Sequence, residues 1–427
     1  MPPLRHLRIL PPLVMLTASV GCVAGDGEAA PPSELATDAG AQSNGDGHDH
    51  VHAPPAPAMQ ADAGAADAVD AATGDGYVWD LPEGFPVPKI PEDNPMSDAK
   101  VELGRYLFYD TRLSGNQTQS CATCHRQELA FTDGMPFGVG STGESHVRSS
   151  MSLANVAYAS TLTWVNPVLP NLERQALVPL FGEDPIELGM VGREEELLER
   201  VSAEPIYQEL FPEAFPERDG EISEDTIVKA IAAFERTIIS GGSPYDRYLA
   251  GEPDALSEAA TRGMDLFFAE RTECFHCHNG FNLSDSTSHE GKAFDEIAFH
   301  NTGLYNVDGR GGFPERDPGL FTFTGKAQDE GRFKAPTLRN VAVTAPYMHD
   351  GSVATLEEVI DHYAAGGRTI EDGPYAGVGS ENPNRSEFVT GFEISEDEKR
   401  DLIAFLRSLT DETLLEDPRF ADPWPAP

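Results

Sequence analysis

Apolar residues recur three and four positions apart in three segments of the chain, the spacing that places them on one face of an α-helix. Ser223, Thr355 and Ser395 precede these segments, and such hydroxyl residues favour the start of a helix. Glu358 and Glu398 follow three residues after Thr355 and Ser395, which completes a capping-box pattern. The apolar positions are Ile227, Ile231, Phe234 and Ile238; Leu356, Val359, Ile360 and Tyr363; and Leu402, Ile403, Phe405, Leu406 and Leu409. Three capped amphipathic helices are therefore predicted.

Glycine and proline divide the long segments between these helices, and both residues favour turns and loops over regular structure. The predicted fold class is therefore mainly α, with long loops and little sheet. Gly366 and Gly367 are expected to end the second helix, because glycine reaches the left-handed conformation of a helix C-terminus without steric cost.

The pattern of the first 76 residues is different. Arg5 and Arg8 precede an apolar run over residues 9–20, a layout typical of an export signal, so residues 1–21 are interpreted as a signal peptide. Cys22 follows a small residue as in a lipobox, and its lipidation competes with simple cleavage. The expected location is the periplasm or the outer cell envelope, with contact to a membrane only through a lipid on Cys22.

Residues 22–76 are rich in Ala, Gly, Asp and Pro and almost lack large apolar side chains. Such a segment cannot bury enough apolar surface to offset the entropy of ordering, so a disordered stalk is predicted. The remaining part of the chain is too long for one small core and suits two domains, for which we predict the ranges 77–245 and 246–427.

Acidic residues greatly outnumber basic ones, with 71 Asp and Glu against 30 Lys and Arg and a formal net charge of −41. A chain with so few cations is poorly suited to displace counterions from phosphates, which argues against a nucleic-acid partner. The charge favours a partner with a basic surface.

Four of the five cysteines form two copies of one motif, Cys121-Ala-Thr-Cys124-His125 and Cys274-Phe-His-Cys277-His278. This is the attachment pattern of c-type haem, in which two cysteines bind the porphyrin and the adjacent histidine is the proximal iron ligand. A four-cysteine zinc site does not require the histidines, and a pair of disulfides does not require the two-residue gap. Two covalently bound haem c groups are therefore predicted.

A short repeat precedes both haem motifs. The sequence GRYLF at 104–108 lies before the first motif, and GMDLF at 263–267 lies before the second. Internal similarity of this kind indicates duplication. We therefore predict two cytochrome-c-like haem domains, each containing one motif.

Further segments resemble those of the di-haem cytochrome c peroxidases and their MauG-like relatives. The similarity covers essentially residues 77–425 and is carried by LGRYLFYD at 103–110, the segment 164–187, AAFER at 232–236, KAPTLRN at 334–340 and TAPYMHDG at 344–351. WDLPEGF at 79–85 and HYAAGG at 362–367 are most similar to the MbnH-like branch. The resemblance implies a peroxide-reacting haem in the N-terminal half and an electron-relay haem in the C-terminal half.

The resemblance also implies a ligand for the C-terminal haem. From the residues alone, a tyrosine on an apolar helical face is more often part of a core. Counted from His349, however, Tyr363 falls where peroxidases of the family have an axial methionine and MauG-like proteins have an axial tyrosine. His278 with Tyr363 would suit a haem that stores an oxidising equivalent. Met264 and Met348 are the alternative ligands.

On the N-terminal haem, Glu187, Gln175 and Pro179 match the residues that line the peroxide-binding face in the family. The resemblance implies that Glu187 is the acid/base, Gln175 its hydrogen-bonding partner and Pro179 a steric wall. Taken singly, Glu187 would be interpreted as a surface carboxylate. Many peroxidases of the family block this face with a second histidine. Counted back from Arg148, that position is Ser141 or a neighbour and is not histidine, so His146 is the one nearby candidate for that role.

Two more positions follow from the resemblance. Trp164 falls between the two haems, where indole can pack or relay an oxidising equivalent. The family's calcium site is represented by Thr344 and Pro346, whose carbonyl oxygens are suitable ligands, whereas Ser149 stands in place of the usual asparagine. One calcium ion is a possible further cofactor.

The sequence and the resemblance are compatible with three functions. In the first, hydrogen peroxide produces a high-valent di-haem state that oxidises a partner protein, and the MbnH-like resemblance implies a tryptophan of a small MbnP-like copper-binding protein. In the second, a small electron-carrier protein feeds a peroxide-scavenging peroxidase. The third, a plain electron carrier, has no use for Glu187, Gln175 and Pro179. Tyr363 and the missing family histidine favour the first.

Overall fold

The computed structural model describes residues 77–425. The predicted signal peptide, stalk and lipid attachment at Cys22 lie outside these residues. The helices are α1 Asp98–Tyr109, α2 Cys121–Cys124, α3 Leu172–Phe181, α4 Glu194–Ala203, α5 Pro205–Ala214, α6 Glu224–Arg236, α7 Pro244–Leu249, α8 Glu258–Phe267, α9 Phe321–Thr324, α10 Leu356–Ala364, α11 Glu396–Arg407 and α12 Glu412–Glu416. Two short antiparallel strands, β1 Thr369–Ile370 and β2 Gly377–Val378, form the sheet found in the described part of the chain. The prediction of a mainly α fold with little sheet is confirmed.

The three predicted amphipathic helices are α6, α10 and α11. Their N-caps are Ser223, Thr355 and Ser395, and each cap side chain accepts a hydrogen bond from the backbone three residues later. Gly366 follows α10 in the left-handed conformation, as predicted, with φ of 68°. Their apolar faces are mostly buried, which is how an amphipathic helix gains most of its stability.

The short repeat before each haem motif forms a helix, and its glycine lies at a close crossing of two helices. Gly104 of α1 faces α6, where an added Cβ would lie 1.9 Å from the backbone oxygen of Ala230. Gly263 of α8 faces α11, where a Cβ would lie 1.9 Å from the backbone oxygen of Asp401. The repeated sequence therefore has the same packing role in both halves, as expected of a duplication.

These helix pairs lie in two separate apolar clusters. The first cluster contains residues from α1, α3, α4, α5 and α6, and the second contains residues from α7, α8, α10 and α11. Leu414 and Phe420, although late in the chain, belong to the first cluster. Tyr109 donates a hydrogen bond to the carbonyl oxygen of Phe420 at 2.6 Å, and the indole of Trp424 donates one to that of Tyr106 at 3.1 Å. The boundary between residues 245 and 246 stays a prediction.

A third cluster of buried residues includes Val165, Leu304, Tyr305, Phe313, Phe333 and Val353. Trp164 and Val359 of α10 pack against it. The hairpin of β1 and β2 follows directly after α10. Within residues 77–425, none of the helices is both long and apolar enough to cross a membrane.

Candidate di-haem site

The first haem motif forms one helical turn. Cys121 and Cys124 are the ends of α2, so their side chains lie on the same side of the turn, and both sulfurs are free of disulfides. Ser120 and Thr123 form a capping box at its start. His125 follows directly, and its Nδ1 lies 2.8 Å from the carbonyl oxygen of Phe131. This contact fixes the ring and leaves Nε2 as the nitrogen suited to bind iron.

The second motif repeats this geometry. Cys274 starts a 3₁₀ turn, and the Nδ1 of His278 lies 3.2 Å from the carbonyl oxygen of Leu283. Phe131 and Leu283 both have positive φ, 62° and 49°, a rare conformation for such residues. Burial lowers the pKa of His125 and of His278, which favours the neutral imidazole that a metal requires. Both motifs therefore suit a covalently bound haem with a histidine ligand.

Tyr363 lies near the second motif. Burial raises the pKa of its phenol, and the thiols of Cys277 and Cys274 are close enough to add to this effect. The ring of His362 packs edge-on against Tyr363, with ring centroids 5.2 Å apart. The helix α10 thus brings Tyr363 to the C-terminal haem motif, while its assignment as iron ligand stays a prediction.

The two methionines that are alternative ligands of the C-terminal haem belong to different apolar clusters. Met264 is buried in α8 within the second cluster. Met348 packs against the third cluster, and its backbone oxygen accepts a hydrogen bond from the Ser149 hydroxyl at 3.3 Å.

Buried nitrogen atoms near Tyr363 provide a further test of fit. Both ring nitrogens of His362 and the Nε of Arg368 are buried and have no hydrogen-bond partner in the described part of the chain. A buried donor without a partner is costly to the protein. A carboxylate introduced with a haem would accept hydrogen bonds from the Arg368 Nε and from the one protonated ring nitrogen of His362, so these residues fit the proposed cofactor.

The three residues predicted to line the peroxide-binding face come together. Gln175 and Pro179 are four residues apart in α3 and so lie on one face of that helix. The backbone N–H of Leu188 donates to the carbonyl oxygen of Pro179 at 2.8 Å, which places Glu187 beside α3. Glu187 therefore lies near Pro179, and Gln175 is one helical turn away from Pro179.

Glu187 is partly buried, and this burial raises the pKa of its carboxyl to about 7. Its charge in turn raises the pKa of Cys121 and of Cys124, after the larger effect of their own burial, so the carboxyl lies near the first haem motif. A carboxyl group with a pKa near neutrality can both accept and return a proton.

His146 lies in a loop, where its backbone N–H donates to the carbonyl oxygen of Gly138 at 2.9 Å. Burial lowers the pKa of its imidazole, against the opposing charges of Asp133 and Glu144. A role as second ligand of the N-terminal haem stays a prediction.

Trp164 and Ser149 are in direct contact. The indole Nε1 donates to the carbonyl oxygen of Ser149 at 3.0 Å, and the Ser149 N–H donates to that of His349 at 2.8 Å. Thr344 and Pro346 precede His349 in the same loop, and the Thr344 hydroxyl donates to Val341. The structure thus joins Ser149 to the loop of the other two predicted calcium ligands, but calcium stays a prediction.

Sequence reasoning missed a partly buried ion pair next to this contact. Both side-chain oxygens of Asp317 accept hydrogen bonds from the Arg148 guanidinium, at 3.0 and 3.1 Å from its Nε. The ring of Phe333 stacks on that of His349 at 3.6 Å, and Asp317 lies 3.5 Å from the His349 Nε2. Residues 148 and 317 are far apart in the chain, and no local pattern indicated their pairing.

Two haem-attachment motifs with oriented histidines, and a carboxyl of raised pKa beside the first, define a c-type cytochrome of the peroxidase kind. Comparison with known proteins agrees with this class. A family model described as di-haem cytochrome c peroxidase matches residues 98–254, and one described as RoxA-like, cytochrome c-like matches residues 332–364.

Among relatives, the chain is 34% identical to the methylamine utilization protein MauG of Methylorubrum extorquens over 330 residues, covering 77% of this chain and 82% of MauG. It is also 34% identical to the cytochrome-c peroxidase IdrP1 of a Pseudomonas species, covering 80% and 90%. The chain belongs to the di-haem cytochrome c peroxidase and MauG family, and is a peroxide-using oxidoreductase of that family. The resemblance stated from the sequence is confirmed.

One solved structure is more similar. It is described as a MauG-like protein associated with microbial copper homeostasis, and it superposes with a TM-score of 0.80 and 52% sequence identity. The match covers 82% of this chain and all of that one. The fold around both haem motifs is therefore that of a MauG-like protein.

Proposed function

We propose that this protein uses hydrogen peroxide at its N-terminal haem to oxidise a partner protein. The observation that carries the proposal is the placement of Glu187, with its pKa of about 7, beside Gln175, Pro179 and the first haem motif. When bound, the two haems would together supply the two electrons that break the peroxide O–O bond with release of one water, and the partner would later return these two electrons. The residues of the chain transfer the proton and limit which molecules can reach the N-terminal haem.

Glu187 would take the proton from one peroxide oxygen and return it to the other oxygen, which leaves as water. Gln175 lies on the same side of α3 as Pro179 and can hold the leaving oxygen by its amide. The ring of Pro179 limits the space to a small oxidant. A folded protein cannot enter such a site, so its electrons must reach the haems from the surface.

Tyr363 and His278 are the residues that would bind the iron of the C-terminal haem. Binding to iron would remove the phenolic proton, since a metal ion strongly favours the anionic form of its ligands. An anionic oxygen ligand stabilises an oxidised iron better than a thioether does. Trp164, between the third cluster and the Ser149 loop, is the proposed residue that shares oxidising equivalents between the haems.

The proposed partner is a small copper-binding protein of the MbnP type, with one of its tryptophans as the oxidised residue. The 52% identity to a MauG-like protein associated with microbial copper homeostasis supports this choice. Both proteins would meet in the periplasm or at the outer cell envelope. The export signal would direct the enzyme there, and a lipid on Cys22 would anchor it.

The test is to mix the enzyme, the candidate partner and hydrogen peroxide and to measure the mass of the partner by mass spectrometry. Addition of oxygen at a single aromatic residue supports the proposal. Glu187→Gln and Trp164→Phe should both prevent the change, whereas Glu183→Gln, which alters an exposed carboxylate on the same loop, should not. An unmodified partner would overturn the proposal.

A second candidate is a peroxide-scavenging peroxidase reduced by a small carrier protein, which the 34% identity to cytochrome-c peroxidase IdrP1 favours. The low-temperature EPR spectrum of the ferric protein discriminates between them. One high-spin and one low-spin haem supports oxidation of a partner, because the peroxide-binding face is then open at rest. Two low-spin haems and fast turnover with a reduced small cytochrome support scavenging.

A further inference from the structure

Two tyrosines link the third cluster to the surface. Tyr375 lies in the loop between β1 and β2 and is 43% exposed. Its ring meets that of Tyr305 edge-on, with centroids 5.7 Å apart. Tyr305 is only 7% exposed and belongs to the cluster against which Trp164 packs. Rings in contact can exchange electrons rapidly, because transfer rates fall steeply with distance.

The hairpin is firmly held in this position. The amide of Asn306 donates to the carbonyl oxygen of Val378 at 2.9 Å, and the amide of Asn382 donates to that of Tyr305 at 2.8 Å. Gly377 approaches so closely that an added Cβ would lie 2.2 Å from the Asn306 oxygen. The small sheet therefore fixes Tyr375 over Tyr305.

Tyr305 has a proton acceptor of its own. Its hydroxyl donates to Asp350 Oδ2 at 2.6 Å, and both residues are buried. The Asp350 carboxyl is therefore the group placed to receive the phenolic proton of Tyr305.

A cation also lies over the ring. The guanidinium of Arg368 is 4.8 Å from the Tyr305 ring centroid. A positively charged ring radical at this position would be repelled by Arg368, so oxidation of Tyr305 requires loss of its proton. Asp350 is placed to accept it.

We propose that Tyr305 and Tyr375 form a relay through which a partner protein at the hairpin delivers electrons to the oxidised haems. This inference rests on the proposed function, which supplies the oxidant. In each pass Tyr305 gives one electron to the oxidised cofactor and its phenolic proton to Asp350, and becomes a neutral radical. An electron from the partner through Tyr375 then restores Tyr305, and Asp350 returns the proton. Peroxide provides two oxidising equivalents, so one cycle takes two passes.

The test compares Tyr305→Phe and Tyr375→Phe with the native protein loaded with both haems. Both changes keep the ring and its packing and remove the hydroxyl. Tyr106→Phe is the matched control, because Tyr106 packs against the first cluster and its ring contacts Trp424. The electron donor is a reduced basic cytochrome c, which is too large to enter a haem pocket.

Stopped-flow absorbance first follows the reaction with peroxide, which should be unchanged in all variants. After peroxide, the cytochrome should be oxidised at least about tenfold more slowly by the Tyr305→Phe and Tyr375→Phe variants, and normally by the control. Freeze-quenched samples without donor should show a tyrosyl EPR signal that narrows on ring deuteration and disappears in Tyr305→Phe.

The possible failures are distinguishable. Unchanged cytochrome oxidation and an unchanged radical in Tyr305→Phe would overturn the relay and leave the proposed function intact. If the native protein formed no oxidised state with peroxide, the proposed function would fail and the relay with it.

Discussion

Glu187 has the most direct consequences for reactivity. Replacing it by glutamine keeps the size of the side chain and removes its ability to exchange a proton. We expect Glu187→Gln to retain both haem spectra and to react with peroxide more slowly by roughly 10² to 10⁴, the range for a lost acid/base. Stopped-flow measurement at varied peroxide concentration gives the rate constant, and an unchanged value would remove Glu187 from the mechanism.

The pKa of Glu187 also predicts a pH profile. Burial raises it to about 7, so the carboxylate that accepts the first proton is lost as the pH falls through this value. The rate constant with peroxide should therefore decrease on acidification, with a midpoint near pH 7. The slower Glu187→Gln variant serves as the control, because its profile should be flat across this midpoint.

Tyr363 determines what the C-terminal haem can store. Tyr363→Met should keep both haems, because their attachment depends on the cysteines of the two motifs. It should shorten the lifetime of the oxidised state formed with peroxide, because a thioether stabilises oxidised iron less than a phenolate does. Rapid-scan absorbance measures this lifetime, and an equally long-lived state would show that Tyr363 is not the ligand.

For single residues, the sequence predicted those features of the site that depend only on neighbouring positions in the chain. Each haem motif spans five residues, so its chemistry is visible without a fold. The carbonyl oxygens that orient His125 and His278 could not be predicted, because they depend on the positive φ of Phe131 and Leu283. The hydrogen bond from Tyr305 to Asp350 could not be predicted either, because it joins residues 45 positions apart.

Among the helices, the crossing of α8 and α11 depends on the absence of a side chain at Gly263. A methyl group would lie 1.9 Å from the backbone oxygen of Asp401, so the helices would have to separate. We expect Gly263→Ala to lower the free energy of unfolding by about 1–3 kcal/mol, the usual cost of overpacking. Thermal unfolding measures the effect. Asp265→Ala, on the exposed side of the same helix, should cost much less.

The helices themselves were predictable, since α6, α10 and α11 carry their caps and apolar faces in the sequence. The elements against which these helices pack could not be predicted. The repeat at Gly104 and Gly263 indicated a duplication, but only the structure shows that each glycine admits the backbone of another helix. The hairpin that carries Tyr375 has strands of two residues each, too short to produce an alternating pattern.

For the whole molecule, the formal charge of −41 should govern encounters with charged proteins. A basic electron donor is attracted over several ångströms, and this attraction weakens as salt shortens the Debye length. We expect the second-order rate of oxidation of a basic cytochrome c to fall steeply between low and high ionic strength. An acidic cytochrome should show the opposite trend, and equal salt dependence for both would contradict the expectation.

The packing of Leu414, Phe420 and Trp424 against the first half has a consequence for biogenesis. Trp424 lies 318 positions after Tyr106 in the chain, yet its segment completes the core around α1 and its neighbours. The core around α1 therefore stays incomplete until residues 412–424 have been synthesised. We expect Cys121 and Cys124 to be more accessible to the haem-attachment machinery before this segment packs than in the finished fold, where both are partly buried.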